Sequence, residues 1–307
     1  MKIMVTGGAG FIGSHVVDVL VDAGHDVGIV DSLWERGGGK VEHIHPKARF
    51  YKVDVRDKAL FDVFEKEQPE VLCHHAAQHS VKISVEDPVH DAQVNILGLI
   101  NLLNCATRFK TRKIIFASSG ATYGVVEHMP VREDTPQRPV SPYGITKMAT
   151  EHYLRVWKDL YGLDYTLLRY GNVYGPRQDP KGEAGVIAIF AKAILCNEPV
   201  RIDWDGEQQK DYVFVKDVAQ ANLLALDRGA GEAFCIATEQ GVSVNTLYRS
   251  LADIIGHEVE IIRAPKRQGD IYLTYFDCSK ARQQLGWQAK VSLSEGLRLT
   301  VDYFRSR

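Results

Sequence analysis

Cysteine is scarce in this sequence, and its distribution excludes a disulfide-rich fold. The 307 residues include no CxxC pair and an odd number of cysteines, which are Cys73, Cys105, Cys196, Cys235 and Cys278. Most of them lie in apolar runs such as VLCHH and EAFCIA, which indicates reduced and buried thiols rather than a disulfide framework. We therefore expect a cytoplasmic protein.

The sequence also lacks a strong charge of either sign and a long hydrophobic run. Its formal net charge is −2, so no basic field favours nucleic acid or an anionic membrane as a partner. No apolar run approaches the roughly 18 residues of a membrane span. The start MKIMVTGGAG lacks the apolar region and cleavage site of a signal peptide. The composition, 45% hydrophobic and 25% charged, is ordinary for a globular enzyme.

Metal-ligand patterns are weak. His74, His75 and His79 lie together at the end of a predicted strand. Adjacent strand residues point to opposite faces, and no cysteine or carboxylate completes a tight ligand set. We predict no metal, and packing or substrate contact for these histidines.

What the sequence does contain is an alternation of short apolar runs with stretches of helical periodicity. This alternation predicts an α/β fold, a doubly wound parallel sheet of the Rossmann type with a ligand crevice at the carboxyl ends of the strands. The runs predicted as buried strands are KIMVTG, DVGIVD, ARFYKVD, EVLCHHAA and RKIIFASS.

The alternation is interrupted after residue 170, where glycine, proline and charged residues become frequent. Strands are predicted again at DYVFV and EAFCIA, with a helix between them and two helical stretches after them. We predict that residues 1–169 and 211–238 form a Rossmann domain. Residues 170–210 and 239–307 are predicted to form a smaller, interleaved α/β substrate domain.

The glycine-rich stretch TGGAGFIGSH follows the first predicted strand and begins the first helix. Gly7, Gly10 and Gly13 would allow the tight turn, the close backbone approach and the close helix–sheet contact that a pyrophosphate site requires. Asp31 ends the second strand, where a carboxylate accepts the ribose hydroxyls of NAD and repels the 2′-phosphate of NADP. NAD is therefore the expected cofactor, and a plain turn is the alternative.

Two tyrosines are each followed by a lysine four residues later, Tyr143 by Lys147 and Tyr212 by Lys216. The first pair lies in a helical pattern beginning near Pro142, so its members are expected one above the other, about 6 Å apart along the axis. Because a nearby cation favours the phenolate, Lys147 is predicted to lower the pKa of Tyr143. The second pair is predicted to lie on a strand, where the spacing spans about 13 Å.

Hydroxyl groups follow another predicted strand, in FASSGATYG. Ser118, Ser119 and Thr122 are candidates for orienting a substrate hydroxyl. Such loop hydroxyls also commonly satisfy backbone groups instead.

Motifs along nearly the whole chain form one set: TGGAGFIGSH, VDVRD, HHAAQHSVKISVEDP, VNILGLINLL, SSGATYG, SPYGITK, LRYGNVYGPRQ, KDYVFVKDVAQA and RQGD. This set resembles the extended short-chain dehydrogenases/reductases, and within them the NAD-dependent epimerase/dehydratase family. The resemblance extends to the nucleotide-sugar 4-epimerases, whose type interconverts UDP-glucose and UDP-galactose. It implies epimerisation at C4 of a nucleotide sugar through a transient 4-keto intermediate.

The resemblance also implies roles for individual residues. Ser119 would hydrogen-bond the sugar O4, Tyr143 would be the acid/base, and Lys147 would bind the nicotinamide ribose of a tightly held NAD. The residues matching the family's cofactor contacts are Gly7, Gly10, Phe11, Ile12, Gly13, Asp31, Asp54, Val55, Ala76, Ala77, Asn95, Tyr143 and Lys147. The residues matching its substrate contacts are His79, Ser119, Asn172, Lys210, Arg267, Asp270 and Thr274.

Three positions depart from the family pattern or select among its substrates. Lys210 stands where arginine is usual and lacks the bidentate fork that grips a diphosphate. Asp203 stands at the position of a base-stacking aromatic, with Trp204 beside it, which leaves the base open between uridine, thymidine and another base. Thr274 matches a size gate, and a small residue there leaves room for an N-acetylhexosamine.

Other functions remain as alternatives. The related dehydratases and decarboxylases carry carboxylates where Gly120 and Ala121 stand, so elimination and decarboxylation are disfavoured. A dehydrogenase or reductase of a nucleotide sugar or another carbonyl would use the same Ser/Tyr/Lys set, and a cofactor-sensing protein without turnover would keep the glycine loop. The resemblance also implies a UDP-hexose partner and a homodimer formed through the helix at 90–108 and the Tyr143 helix.

Overall fold

The computed structural model describes residues 1–181, 185–266 and 271–307. Its largest sheet has seven parallel strands in the order β10-β6-β5-β4-β1-β2-β3. These strands are β1 Lys2–Thr6, β2 Asp26–Asp31, β3 Arg49–Lys52, β4 Val71–His74, β5 Lys113–Ser119, β6 Asp164–Tyr170 and β10 Glu232–Ile236. The predicted doubly wound parallel sheet is confirmed.

The near-continuous apolar strands are explained by helices on both faces of the sheet. Alternating residues of β1 and β2 enter different cores: Ile3, Val5 and Ile29 enter one, and Met4 and Val30 enter the other. Both faces are therefore buried, which is why these strands show no polar alternation.

The helices that border the large sheet are α1 Phe11–Asp22, α2 Leu60–Glu67, α5 Gly98–Arg108, α6 Pro142–Tyr161 and α8 Val215–Ala225. The helices α1 and α8 contribute to the first core, and α2, α5 and α6 contribute to the second. Two short helices, α3 Val81–Glu86 and α4 Pro88–Ala92, and a π-helical stretch Gln93–Leu97 lead into α5.

The strand order reverses at β1, which lies between β2 and β4. The chain builds the sheet outward on one side through β2 and β3, then returns and builds the other side through β4, β5 and β6. In an open α/β sheet this switch point opens a crevice at the carboxyl ends of the strands. Thr6, Asp31, His74, Ser119 and Tyr170 are the final residues of five strands and lie along that edge.

A second group of elements forms smaller sheets. The strands β7 Asn172–Tyr174, β9 Gln209–Phe214, β11 Gly241–Ser243 and β13 Leu273–Thr274 pair together, and β8 Val200–Asp203 pairs with β12 Ile261–Ala264. The helices α7 Val186–Leu195, α9 Val244–Ile255 and α10 Leu293–Arg305 pack in a third core. The predicted boundary at residue 211 falls within β9, and the division into two domains remains a prediction.

One local prediction is wrong. Lys216 does not share a strand with Tyr212, because β9 ends at Phe214 and α8 begins at Val215. Val218, Ala219 and further apolar residues of α8 are buried at helical spacing, so packing against the sheet decides the structure here.

In the part of the chain that the structure describes, every helix is too short or too polar to cross a membrane.

Candidate active site

The glycine loop makes a tight turn between β1 and α1. Gly7 has φ 70°, a left-handed conformation that glycine adopts without strain, and its N–H donates to Val30 O at 2.8 Å. A Cβ on Gly7 would lie 2.6 Å from the Ala76 nitrogen, so the turn packs closely against the end of β4. Gly10 then caps α1 without a side-chain hydrogen bond. The first N–H groups of α1 are thereby left for an anion such as a pyrophosphate.

Gly13 brings α1 onto this turn. A Cβ at position 13 would overlap the carbonyl oxygen of Gly7. In the Gly13→Ala variant the helix must move away from the turn. We therefore expect the purified protein to contain less NAD and its free energy of unfolding to fall by about 1–3 kcal/mol. NAD released on denaturation and urea unfolding measure the two effects. Gly37→Ala is the matched control, because a Cβ there makes only ordinary van der Waals contacts. Equal losses of NAD and stability in both variants would contradict the role assigned to the close contact at Gly13.

Asp31 fits the ribose end of a dinucleotide. Its carboxylate accepts hydrogen bonds from the N–H groups of Ala9 at 3.0 Å and Leu33 at 2.9 Å. Burial raises the pKa of Asp31, and these two backbone bonds oppose that rise. The carboxylate thus ties β2 to the glycine loop, where the residues present suit NAD.

Asp54 and Val55, two of the predicted cofactor contacts, already have partners within the fold. Asp54 lies two residues beyond the end of β3, and Arg56 binds its carboxylate in a bidentate ion pair of 2.9 and 2.8 Å. Val55 is buried against Gly98. Near them Trp34 packs on His90 with ring centroids 5.0 Å apart, a contact that the sequence analysis missed because the two residues are far apart in the chain.

The helix α6 carries the predicted reacting groups. Ser141 caps it by accepting from the N–H of Gly144 at 3.1 Å, and Pro142 occupies its first turn. Tyr143 and Lys147 follow on one face of the helix. The Lys147 Nζ lies 5.8 Å from the ring centroid of Tyr143 and donates to Ala117 O at 2.9 Å.

Of the three candidate hydroxyls, Ser119 is the one that reaches Tyr143. Its Oγ accepts from the N–H of Ala121 at 3.1 Å, which leaves its proton for the Tyr143 hydroxyl, and that hydrogen bond lowers the pKa of Tyr143. Ser118 instead donates to Glu151 Oε1 at 2.6 Å, and Thr122 donates to Ser119 O at 3.0 Å. The structure therefore brings Ser119, Tyr143 and Lys147 together.

The prediction that Lys147 lowers the pKa of Tyr143 is wrong for the protein alone. Burial raises the pKa of Tyr143 to about 12, and the negative charge of Asp91 adds to the rise. Burial also lowers the pKa of Lys147 to about 8, although Asp91 and Glu151 oppose that change. Desolvation is therefore the largest cause of both shifts.

Behind Lys147 lies a buried ion pair that the sequence analysis missed. Arg169, on β6, binds Glu151 through Nε–Oε1 at 2.9 Å and through the second guanidinium nitrogen to Oε2 at 2.7 Å. Ser118 and Gln137 also donate to Glu151. Glu151 is one helical turn beyond Lys147, so the pair supports the reacting face of α6 from within the protein.

The histidines at the end of β4 make hydrogen bonds within the fold. The Nδ1 of His74 is 2.7 Å from Thr6 Oγ1, and the Nε2 of His75 is 3.3 Å from the Tyr170 hydroxyl. Burial lowers the pKa of each to about 3, and Lys147 adds to this, so both are neutral. His79 is exposed just before α3. Within the described ranges, no three His, Cys, Asp or Glu side chains are arranged to hold a metal ion.

Three of the predicted substrate contacts lie on the smaller sheet. Asn172 is exposed on β7 and pairs with Tyr212 of β9, while Thr274 of β13 pairs with Lys210 of β9. The Lys210 Nζ donates to Ile271 O at 2.6 Å. Arg267 and Asp270, the other two predicted contacts in this region, lie outside the described residues.

The aromatic beside Asp203 adopts an unusual backbone conformation. Trp204 has φ 62°, which is costly for a bulky residue. Its ring packs on Tyr272 with centroids 4.8 Å apart, and the Lys266 Nζ lies 4.1 Å from its centroid. Gln209 donates its N–H to Tyr272 O, so this aromatic pair adjoins Lys210.

Position 120 cannot carry a longer side chain without rearrangement. A Cβ on Gly120 would lie 2.5 Å from Cζ of Phe276, a buried ring packed on this turn. A carboxylate for elimination chemistry therefore has no room at residue 120.

Comparisons with known proteins identify the family of this chain. The model of the GDP-mannose 4,6 dehydratase family matches residues 4–300. The chain belongs to this family of extended short-chain dehydrogenases/reductases. A family member from Methanocaldococcus jannaschii, a putative UDP-glucose 4-epimerase, is 45% identical over 99% of this chain and 98% of its own length.

Two solved structures of family members superpose along the whole chain. The UDP-glucose 4-epimerase of Thermotoga maritima, solved with UDP-glucose, is 48% identical with a TM-score of 0.97 and covers 100% of this chain and 99% of its own. The UDP-glucose 4-epimerase of Thermus thermophilus, solved with NAD, is 44% identical with a TM-score of 0.95 and covers 99% of each chain.

Proposed function

We propose that this protein is an NAD-dependent nucleotide-sugar 4-epimerase that interconverts UDP-glucose and UDP-galactose. The observation that carries the proposal is the contact of Ser119 with Tyr143, one helical turn from Lys147, at the crevice that begins with the glycine loop. This arrangement lies in a chain 48% identical to the UDP-glucose 4-epimerase of Thermotoga maritima.

The site residues divide the chemistry among them. Bound NAD would supply the acceptor for the hydride that leaves C4 of the sugar, the hydride that returns to the other face of the sugar, and a positive charge. Tyr143 takes the proton of the 4-hydroxyl and later returns it, and Ser119 positions O4 beside it. Lys147, fixed by Ala117 O, keeps a cation beside the phenol and holds the nicotinamide ribose. Gly10 and the start of α1 bind the pyrophosphate, and Asp31 binds the adenosine ribose.

The nucleotide would extend from this centre over the smaller sheet. We infer that Asn172 and Lys210 contact the diphosphate, which suits an amide and a cation. Trp204, held against Tyr272, offers the aromatic face that Asp203 lacks and would stack on the base. Thr274 is partly exposed beside Lys210, and its small size leaves room for an N-acetylated sugar as well as for glucose.

To test this function, the purified protein is incubated with UDP-, dTDP-, GDP- and CDP-sugars, and the products are identified by NMR. Interconversion of UDP-glucose and UDP-galactose without added NAD is the expected result. A comparison with UDP-N-acetylglucosamine decides the size of the sugar pocket. If every nucleotide sugar is returned unchanged while a small carbonyl compound is reduced with added NADH, the protein is a reductase instead.

We further propose that the protein is a cytoplasmic homodimer. Apolar side chains are exposed on the helices before α5 and on α6: Val85, Val89 and Leu97 on one side, and Ile145, Val156 and Leu160 on the other. Such a large exposed apolar set is typical of a protein interface. Its five cysteines are free thiols, which suits a reducing compartment.

The dimer has its own test in sedimentation velocity. Leu97→Glu is expected to shift the protein from dimer to monomer, since it buries a charge in the apolar contact. Val41→Glu replaces another exposed apolar residue that lies outside these helices, and it should leave the dimer intact. A monomeric parent protein, or a dimer unaffected by Leu97→Glu, contradicts this interface.

A further inference from the structure

A fully buried carboxylate lies next to the reacting helix and takes no part in the chemistry above. Asp91, on α4, has no exposed surface. Its Oδ1 accepts from Gln78 Nε2 at 2.8 Å and Asn95 Nδ2 at 3.0 Å, and its Oδ2 accepts from Thr146 Oγ1 at 3.0 Å. Burial raises the pKa of Asp91, and the hydrogen bonds from Thr146 and Gln78 oppose that rise because they stabilise the ionised form. The nearby Lys147 and His90 act in the same direction as these bonds.

This carboxylate is joined to the reacting helix through Thr146. Thr146 lies between Tyr143 and Lys147 on α6, and its hydroxyl is also 3.0 Å from Tyr143 O. Asn95 contacts the same hydroxyl from the π-helical stretch, with its Nδ2 3.2 Å from Oγ1. The hydrogen bonds of Asp91 therefore end on the helical turn that carries both reacting groups.

The other charges that face Lys147 are compensated or absent. Glu151 also raises the pKa of Lys147, but its carboxylate is paired with Arg169 in a bidentate ion pair. His74 and His75 are neutral because burial lowers the pKa of each to about 3. Among the residues that the structure describes, Asp91 is the negative charge near Lys147 that has neutral partners in place of a cation. Its charge raises the pKa of Lys147 and also that of Tyr143.

We propose that Asp91 is a positioning residue whose buried negative charge sets the pH range in which Tyr143 and Lys147 work as a pair. This proposal rests on the proposed function, since it assigns a regulator to the same site. Asp91 touches neither reacting group and acts through its charge and through Thr146.

The direction of the effect follows from the two roles. The pKa values of about 12 for Tyr143 and about 8 for Lys147 belong to the protein without NAD, whose positive charge favours the phenolate once it is bound. In the loaded protein Tyr143 accepts a proton only above its own pKa, which sets the acid limb of the rate profile. Lys147 remains a cation only below its own pKa, which sets the basic limb. Without the charge of Asp91 both pKa values fall. We therefore expect Asp91→Asn to displace the whole profile to lower pH by about one unit, while a structural defect would lower the rate at every pH.

The experiment compares kcat against pH for UDP-galactose in the parent protein and in Asp91→Asn, at saturating substrate. Asparagine keeps an acceptor for Gln78 and Asn95, and Thr146 can then donate to Tyr143 O. The control is Asp87→Asn, which removes an exposed charge from the same helix and keeps its N-terminal cap. Its profile should coincide with that of the parent protein. If Asp91→Asn fails to fold, Asp91→Ser, which leaves room for a water molecule, replaces it.

A second measurement does not depend on turnover. The ultraviolet difference absorbance of tyrosinate, corrected with Tyr143→Phe, gives the titration of Tyr143 with and without Asp91. We expect its midpoint about one pH unit lower in Asp91→Asn. The proposal is overturned if neither the limbs of the kcat–pH profile nor the midpoint of the tyrosinate titration moves, whatever the loss of rate. An inactive parent protein would refute the proposed function alone, because the tyrosinate titration would still decide the role of Asp91.

Discussion

Replacing Tyr143 with phenylalanine is expected to lower kcat for the epimerisation of UDP-galactose by about 10³-fold. The variant keeps the ring and loses the group that moves the 4-hydroxyl proton, while Ser119 and Lys147 remain in place. NAD content and the free energy of unfolding should change little. Steady-state rates and the NAD released on denaturation measure these effects.

The matched control uses the other tyrosine that precedes a lysine by four residues. Tyr212→Phe also removes one hydroxyl, on β9 of the smaller sheet, and Lys216 lies on a separate element there. Its kcat should stay within a few-fold of that of the parent protein. A Tyr143→Phe variant as active as Tyr212→Phe would refute the catalytic assignment and favour a protein that binds NAD without turnover.

Replacing Arg169 with methionine is expected to lower the free energy of unfolding by about 3–5 kcal/mol. Arg169 is 2% exposed and Glu151 is fully buried, so the variant leaves a carboxylate inside the protein without its cation. Urea unfolding measures the loss. Lys280→Met is the control, because Lys280 and Glu232 form an exposed pair whose removal should cost at most about 1 kcal/mol.

The effect of Arg169→Met should depend on pH. Burial alone disfavours the ionised form, but the bonds from Arg169, Ser118 and Gln137 lower the pKa of Glu151 overall. The stabilisation from Glu151 is therefore present above its unfolded pKa and is lost as pH falls through the folded one. In the variant, burial is less opposed and favours the protonated form. The difference in stability between the two proteins should thus shrink on acidification, and a difference that grows would contradict the ion-pair explanation.

The sequence predicts the parallel sheet, the glycine turn and the spacing of Tyr143 and Lys147 from patterns of neighbouring residues. Parallel strands covered on both faces must be nearly all apolar, and the turn at Gly7 requires a residue that tolerates positive φ. Helical spacing likewise places Lys147 one turn beyond Tyr143. These features depend on residues close together in the chain, where spacing and residue type determine the geometry.

What the sequence could not predict depends on contacts between distant segments. Spacing shows where Lys147 lies but not how much water the surrounding chain removes from Tyr143, so the direction of its pKa was predicted wrongly. The bond from Thr146 to Asp91 joins residues 55 positions apart. Lys216 was placed on a strand with Tyr212, but β9 ends at Phe214 and α8, which packs against the large sheet, begins at Val215.

The contact between Gly120 and Phe276 limits how this protein could acquire a new reaction. A dehydratase needs a carboxylate beside the sugar, yet any side chain at residue 120 meets a buried ring. Any single replacement at residue 120 is therefore expected to displace the ring of Phe276. Laboratory evolution toward elimination should begin with a smaller residue at 276, so that the two positions change together.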